Sequence, residues 1–313
     1  MNRPWHSALL ALIVLTACAP VAGAAGIVVV KSQALSAYDT AQQGFMSVVG
    51  GQVGGRVVSY TLSEEASAGR IVSQIKAGAP DVVLVLGTEA ARQVGAALGG
   101  IPVVFAMVVD PVQSGVVSNL ARPGGNMTGV MLAVPPLESL QALKRAVPKA
   151  RRVGVIYDPA QSQRAVREMT EAARALGLQV VSRAVRSGGE VPRAAEELHD
   201  GIDALYAPVD GTVYSAQSAK FLLLFALRSG IPVIGFSTNL VQAGALLAVY
   251  PDYTDIGRQA GYIALRILSG EAPGGIAVAA PRKVLLAINL SVERTLGLTI
   301  PQSVRKTADK IYK

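Results

Sequence analysis

Cysteine and histidine are nearly missing from this sequence. Its 313 residues include one cysteine, Cys18, and two histidines, His6 and His199. A zinc site draws on several such ligands and a serine-type triad needs a placed histidine, so neither has a ligand set here. A lone cysteine also excludes any disulfide within the chain. Charged residues make up only 16% while 51% are hydrophobic, a balance that excludes global disorder. No apolar run beyond the first residues is long enough to span a bilayer. Catalytic signatures are missing as well. There is no Gly-Lys-Ser/Thr phosphate loop, and Gly235-Phe236-Ser237-Thr238-Asn239 lacks the second glycine of a nucleophile elbow. Gly50-Gly51-Gln52-Val53-Gly54-Gly55 lacks dinucleotide spacing and precedes a strand, so it reads as a turn. The expectation is a binding protein rather than an enzyme, with no cofactor and no metal.

What is present begins with a targeting segment over residues 1–25. Arg3 supplies a positive start, and Ala8 to Ala17 form an apolar stretch of signal-peptide length. Two cleavage readings compete. Leu15-Thr16-Ala17-Cys18 resembles the bacterial lipobox, which would make Cys18 a lipid anchor, and Ala22-Gly23-Ala24 offers the small-x-small pattern of ordinary signal peptidase. Either way export is expected, which removes nucleic acid as the partner of a chain with net charge +8. Basic residues are dispersed apart from Lys144-Arg145 through Arg151-Arg152, and the charge reads as solvated surface that can face anionic lipid.

After the leader, short apolar runs alternate with amphipathic helical stretches. Strands are expected at Ile27–Val30, Arg56–Tyr60, Val82–Leu86 and Val103–Ala106, then at Val153–Tyr157, Gln179–Ala184, Ala204–Tyr206, Pro232–Ile234 and Leu246–Tyr250. Runs apolar on both faces belong to parallel sheets covered by helices on both sides. A seam falls at Gly129–Pro136, where Pro135-Pro136 reads as a hinge or crossover before a helix at Leu137–Val147. The fold class expected is α/β, with two doubly wound parallel-sheet lobes joined by crossing segments. Ligands of such sheets bind beyond the C-terminal ends of the strands.

Several residues now carry a resemblance. Val103–Asn119, followed by Pro123-Gly124-Gly125-Asn126-Met127-Thr128-Gly129, is similar to a block of the ABC transporter substrate-binding family that includes aromatic amino acid binders. Gly87-Thr88, Val153–Tyr157 with Pro159, Ile231-Pro232-Val233, Asp252-Tyr253 and Gly257-Arg258-Gln259-Ala260 extend the likeness over nearly the whole chain after the leader. After Tyr157, where many members carry an Asn-Ser pair, this chain has Gln163-Arg164 nearby. The resemblance implies a type I periplasmic-binding fold with three crossings. On that layout one lobe takes 26–132 plus 251–275, and the other 133–250 plus 276–313. It also implies a monomer outside the inner membrane that delivers a small-molecule ligand, an amino acid or similar, to an ABC permease. A sensor subunit signalling to a membrane kinase is the alternative, and neighbouring genes would separate the two.

Candidate ligand-binding residues lie at strand exits. Ser32 and Gln33 end the first strand, and Gly87 with Thr88 ends the third and opens a helix. At such a place a hydroxyl and backbone N–H groups suit a carboxylate, or simply cap the helix. Tyr38 can wall a pocket or cover the lobe edge. Asp110 can accept from an ammonium group or cap its turn. In the other lobe Asp210 with Thr212 is the preferred partner for an amino group, helix capping being the alternative. Tyr157 can stack on a ligand or fill core.

Overall fold

The computed structural model describes residues 26–52 and 57–313. Cys18, the leader and Arg56 lie outside the described residues. Among these residues no helix is long and apolar enough to cross a membrane.

The first lobe is assembled from β1 (Ile27–Lys31), α1 (Ser36–Val49), β2 (Val57–Thr61), α2 (Ala68–Gly78), β3 (Val82–Leu86), α3 (Thr88–Gln93), β4 (Val103–Val108) and β5 (Met127–Met131). Their strands form an all-parallel sheet in the order β2-β1-β3-β4-β5. Every residue of β3 and β4 is buried, as a sheet covered on both faces requires. The second lobe contains α4 (Pro136–Ala146), β6 (Arg152–Tyr157), α5 (Pro159–Ala175), β7 (Gln179–Ala184), α6 (Val191–Leu198), β8 (Ala204–Tyr206) and α7 (Ala216–Arg228). It continues with β9 (Val233–Gly235), α8 (Thr238–Ala243) and β10 (Leu247–Pro251). After β10 the chain returns to the first lobe as α9 (Tyr253–Leu268). It ends in the second with β11 (Val284–Asn289), α10 (Leu290–Thr295), α11 (Gln302–Arg305) and β12 (Lys310–Tyr312). The second sheet has the order β12-β11-β10-β9-β8-β6-β7.

α9 belongs with the first lobe because its backbone meets that of α1 almost directly. A Cβ on Gly257 would lie 1.9 Å from the Ala41 carbonyl oxygen, and one on Gly44 would lie 2.1 Å from that of Thr254. Ile256, Ala260, Ile263 and Ala264 share a buried cluster with Val29, Phe45 and Leu84.

Three differences from the sequence reading have plain causes. Pro135 ends the segment between the lobes, whereas Pro136 already opens α4, one residue before the expected helix start, because a first-turn proline lacks only an N–H that the helix does not use. β11 runs antiparallel to β10, so the second sheet is mixed at one edge. The return to the second lobe comes after Ala279, not at 275/276. Ile276 is buried in the first-lobe core, its carbonyl accepts from Thr128 Oγ1 at 2.7 Å, and Ala279 N donates to the Gly129 carbonyl at 2.9 Å. The three crossings are therefore 132–135, 251–252 and 280–283.

Candidate functional site

The strand exits of both sheets face one another across the crossings, and a cavity of 170 Å³ lies between them. The second lobe supplies most of its wall: Gln161, Ser162, Arg164, Ala165 and Glu168 from α5, Tyr206–Val209 at the end of β8, and Gly235, Phe236 and Ser237 at the end of β9. Leu132, Ala133, Val134, Pro251 and Tyr253 close it from the crossings. The first lobe reaches in with Val109 and Asp110.

Those two residues are aimed by a kink. Met107 has φ 61°, and the β4–β5 register shifts between Ala106 and Val108. A non-glycine residue in left-handed conformation costs about 1 kcal/mol or more, and such strain gathers where a side chain must be redirected. Asp110 is then fixed by its own turn, its Oδ1 accepting from Val112 N at 3.1 Å and Gln113 N at 3.0 Å. Its Oδ2 accepts from Arg164 Nε at 2.6 Å, across the cleft. Gln113 Nε2 adds a second bond between lobes, to the Ala160 carbonyl at 2.7 Å. Arg164 Nη1 meets Glu168 Oε1 at 2.7 Å, one turn along α5. Burial pulls the Arg164 pKa down, but the hydrogen bond and charge of Asp110, with the charge of Glu168, raise it above its ordinary value. Behind these groups burial pushes the Tyr206 phenol up, and Glu168 adds to the shift.

The other expected site residues divide into two groups. Ser32, Tyr38 and Gly87 do come together at the first-lobe rim, at the same C-terminal end of the strands as Asp110. Ser32 Oγ accepts from Ala90 N at 2.9 Å, so it caps the six-residue α3. Gly87 has φ 94°, and a Cβ there would sit 2.6 Å from Ser32 Oγ. Burial raises the Tyr38 pKa, against a hydrogen bond with Ser32. Gln33 is exposed and Thr88 half-buried, and none of these five lines the cavity.

Asp210 is a correction. It is 2% exposed and faces its own lobe. Oδ1 accepts from Thr212 N and Val213 N, both at 3.0 Å, while Oδ2 accepts from Asp158 N at 2.7 Å and Ser162 Oγ at 2.6 Å. Four donors leave it no capacity for a ligand's ammonium group. Thr212 joins the same network, donating to Asp158 Oδ2 at 2.8 Å and accepting from Gln161 Nε2 at 2.5 Å. Tyr157 packs on the second-lobe core, with Gln163 Oε1 3.5 Å from its hydroxyl. The network holds the first turn of α5, which breaks at Ser162 (φ −131°, ψ 15°), and so places Arg164.

The model of the ABC transporter substrate-binding proteins matches residues 57–312. The chain belongs to that family. A tyrosine-binding protein from Clostridioides difficile is 30% identical over 230 residues, 73% of this chain and 66% of that protein, just under two thirds of the relative's length. A Streptococcus pneumoniae ABC domain in complex with L-Trp is 26% identical, with TM-score 0.71, covering 92% of this chain and 99% of that one. The ligand-free, open structure of a Clostridium difficile substrate-binding protein with adhesive properties is 25% identical, with TM-score 0.76 and the same coverage. A periplasmic ribose transporter component from Conexibacter woesei, 13% identical with TM-score 0.55, shares the fold alone. In a family of binding proteins, a cavity walled by both lobes is the natural seat of the substrate. Among its lining residues Glu168, Ser139, Phe236 and Ser237 were not singled out as ligand candidates by sequence reasoning, and Arg164 entered only as part of the Gln163-Arg164 stretch near the place of the family's Asn-Ser pair. The available signal was the position of α5, which opens at the C-terminal end of a parallel strand.

Proposed function

We propose that this substrate-binding protein captures a small amino acid, aromatic or similar, in the cavity between its lobes and presents it to an ABC permease outside the inner membrane. The observation that carries the reading is the cavity itself. Phe236, Tyr206, Tyr253, Val134 and Pro208 give it apolar walls, and Asp110, Arg164, Glu168 and three serine hydroxyls stand among them. Its 170 Å³ is close to the roughly 150 Å³ of an engineered cavity that holds benzene, so a ring-sized body fits and a disaccharide does not. The tyrosine and L-Trp named for two relatives support the same class. On this reading Ser32, Gln33, Tyr38, Gly87 and Thr88 form the first-lobe rim that meets the ligand during closure, and Cys18 carries the lipid that keeps the protein at the membrane.

Two experiments test it. L-tyrosine or L-tryptophan at a hundred times its Kd stabilises the purified protein by about 2.7 kcal/mol, read as a rise in Tm. A screen in which sugars or nucleosides shift Tm and amino acids do not overturns the ligand class. Cys18→Ala moves the expressed protein from membranes to the soluble fraction with its melting curve unchanged, whereas continued membrane association of the variant overturns the anchor.

A further inference from the structure

We propose that Arg164 and Glu168 read the two charged ends of a zwitterionic ligand, and that Asp110 makes this reading depend on closure of the lobes. The inference rests on the solute-binding reading and adds the groups that recognise the charges. Arg164 is the only cation among the residues lining the cavity. Its Nε is held by Asp110 and its Nη1 by Glu168, while Nη2 donates to no protein group among the described residues. A guanidinium fixed by two partners offers its remaining donor in a set direction, which suits a carboxylate. Glu168 is arranged in the opposite sense. Oε1 takes Arg164, and Oε2 accepts from no protein group among the described residues. One turn of α5 therefore presents a donor and an acceptor side by side at the cavity wall.

Other candidates for those roles are already committed. Asp210 is saturated by four donors. Ser32 caps α3, and neither it nor Thr88 lines the cavity. Charge distribution favours the same polarity. The second-lobe stretches, 133–250 and 280–313, hold 20 Lys and Arg against 12 Asp and Glu, and the first-lobe stretches, 26–132 and 251–279, hold 8 against 9. A carboxylate is drawn toward the second lobe, where Arg164 stands. Because the same guanidinium also grips Asp110 of the first lobe, the ligand's anion is held best when the lobes have met.

Calorimetry with L-tryptophan, tryptamine and indole-3-propionate on the wild type, Arg164→Gln, Glu168→Gln and Asp110→Asn decides the matter. Arg164→Gln, which also breaks the tie to Asp110, weakens tryptamine only by the common factor seen in Asp110→Asn, and weakens L-tryptophan and indole-3-propionate by about a further ten- to a hundredfold. Glu168→Gln weakens L-tryptophan and tryptamine and spares indole-3-propionate. Asp110→Asn weakens all three by a common factor. Circular dichroism melting confirms folding. Should Arg164→Gln fail to fold, the half-exposed Glu168 carries the test alone. Losses independent of which charge the ligand bears would reduce both residues to structural roles and overturn the inference. If an aliphatic amino acid binds in place of L-tryptophan, the same test with its amine and desamino acid retains the inference and retires the aromatic class. A wild type that binds only uncharged solutes overturns the inference and leaves solute binding standing.

Discussion

Ion pairs stitch this molecule together at two places, the hinge and the cleft, and they are built differently. At the hinge, Asp255 takes Arg282 Nη2 at 2.7 Å and Nε at 2.9 Å, and Asp252 takes Lys283 Nζ at 2.7 Å. Both carboxylates stand at the start of α9, where Asp252 also caps the helix through Asp255 N at 3.2 Å. These pairs bind the third crossing to a helix it already touches, so they need not break when the lobes move. The cleft pair, Asp110–Arg164, joins side chains that belong to different lobes, at 2.6 Å across the cleft. The chemistry is shared and the placement differs. A tie inside one rigid unit adds to stability, whereas a tie between units biases an equilibrium and is felt in ligand affinity.

Breaking each tie separately should expose the contrast. The largest effect is expected from Asp210→Ala, which removes the anchor beneath the cleft tie. It strands Ser162 Oγ and three backbone N–H groups, of which those of Asp158 and Val213 are buried, at a cost of about 3 kcal/mol or more. Chemical denaturation reads this directly, and an unchanged midpoint with lost ligand binding would return Asp210 to the ligand. Asp255→Ala at the hinge comes next. Its carboxylate is buried, but Arg282 is half exposed and can return to water, so a loss of about 1–2 kcal/mol is expected, with Kd unaltered. Asp110→Asn reverses the pattern: Tm changes by a degree or two while Kd rises about tenfold. Equal effects of the last two on Tm and Kd would erase the distinction between hinge and cleft.

The two regions were also unequally legible in the sequence. Apolar runs such as Val82–Leu86 announce themselves, because a strand buried on both faces has no polar positions. Met127-Thr128-Gly129-Val130-Met131 carries no such run, and β5 forms because Gly129 lets its backbone approach the Phe105 carbonyl, where a Cβ would lie 1.9 Å away. That is a tertiary fact. The rim residues Ser32 and Gly87 could be placed together because both end parallel strands. Asp210 looked like a ligand partner for the same reason, and only its four donors show that it faces inward. Arg164 sits within an amphipathic helix, where an arginine reads as solvated surface. Its partner Asp110 is 54 residues away, and no local pattern links them.

The smallest effect expected concerns acid, and it separates the hinge pairs from each other. Burial would raise the Asp252 pKa, but its hydrogen bond and charge pairing with Lys283, aided by the backbone N–H groups of α9, hold it below the usual carboxylate range. A depressed folded-state pKa contributes stability that is fully present above the unfolded value of about 3.9 and is lost as pH falls through the folded value. Lys283 is largely exposed, so solvent screening keeps the contribution below about 1 kcal/mol. Asp252→Asn preserves the helix cap, since asparagine caps as well as aspartate, and removes only the titrating charge. Between pH 6 and pH 3 the wild type should therefore lose slightly more Tm than Asp252→Asn, the gap opening only below about pH 5. Added salt should narrow the difference near neutral pH, where the pair is charged. Parallel Tm curves for the two proteins across that range would mean that the Asp252–Lys283 pair contributes nothing, leaving Asp255 and Arg282 to fasten the hinge.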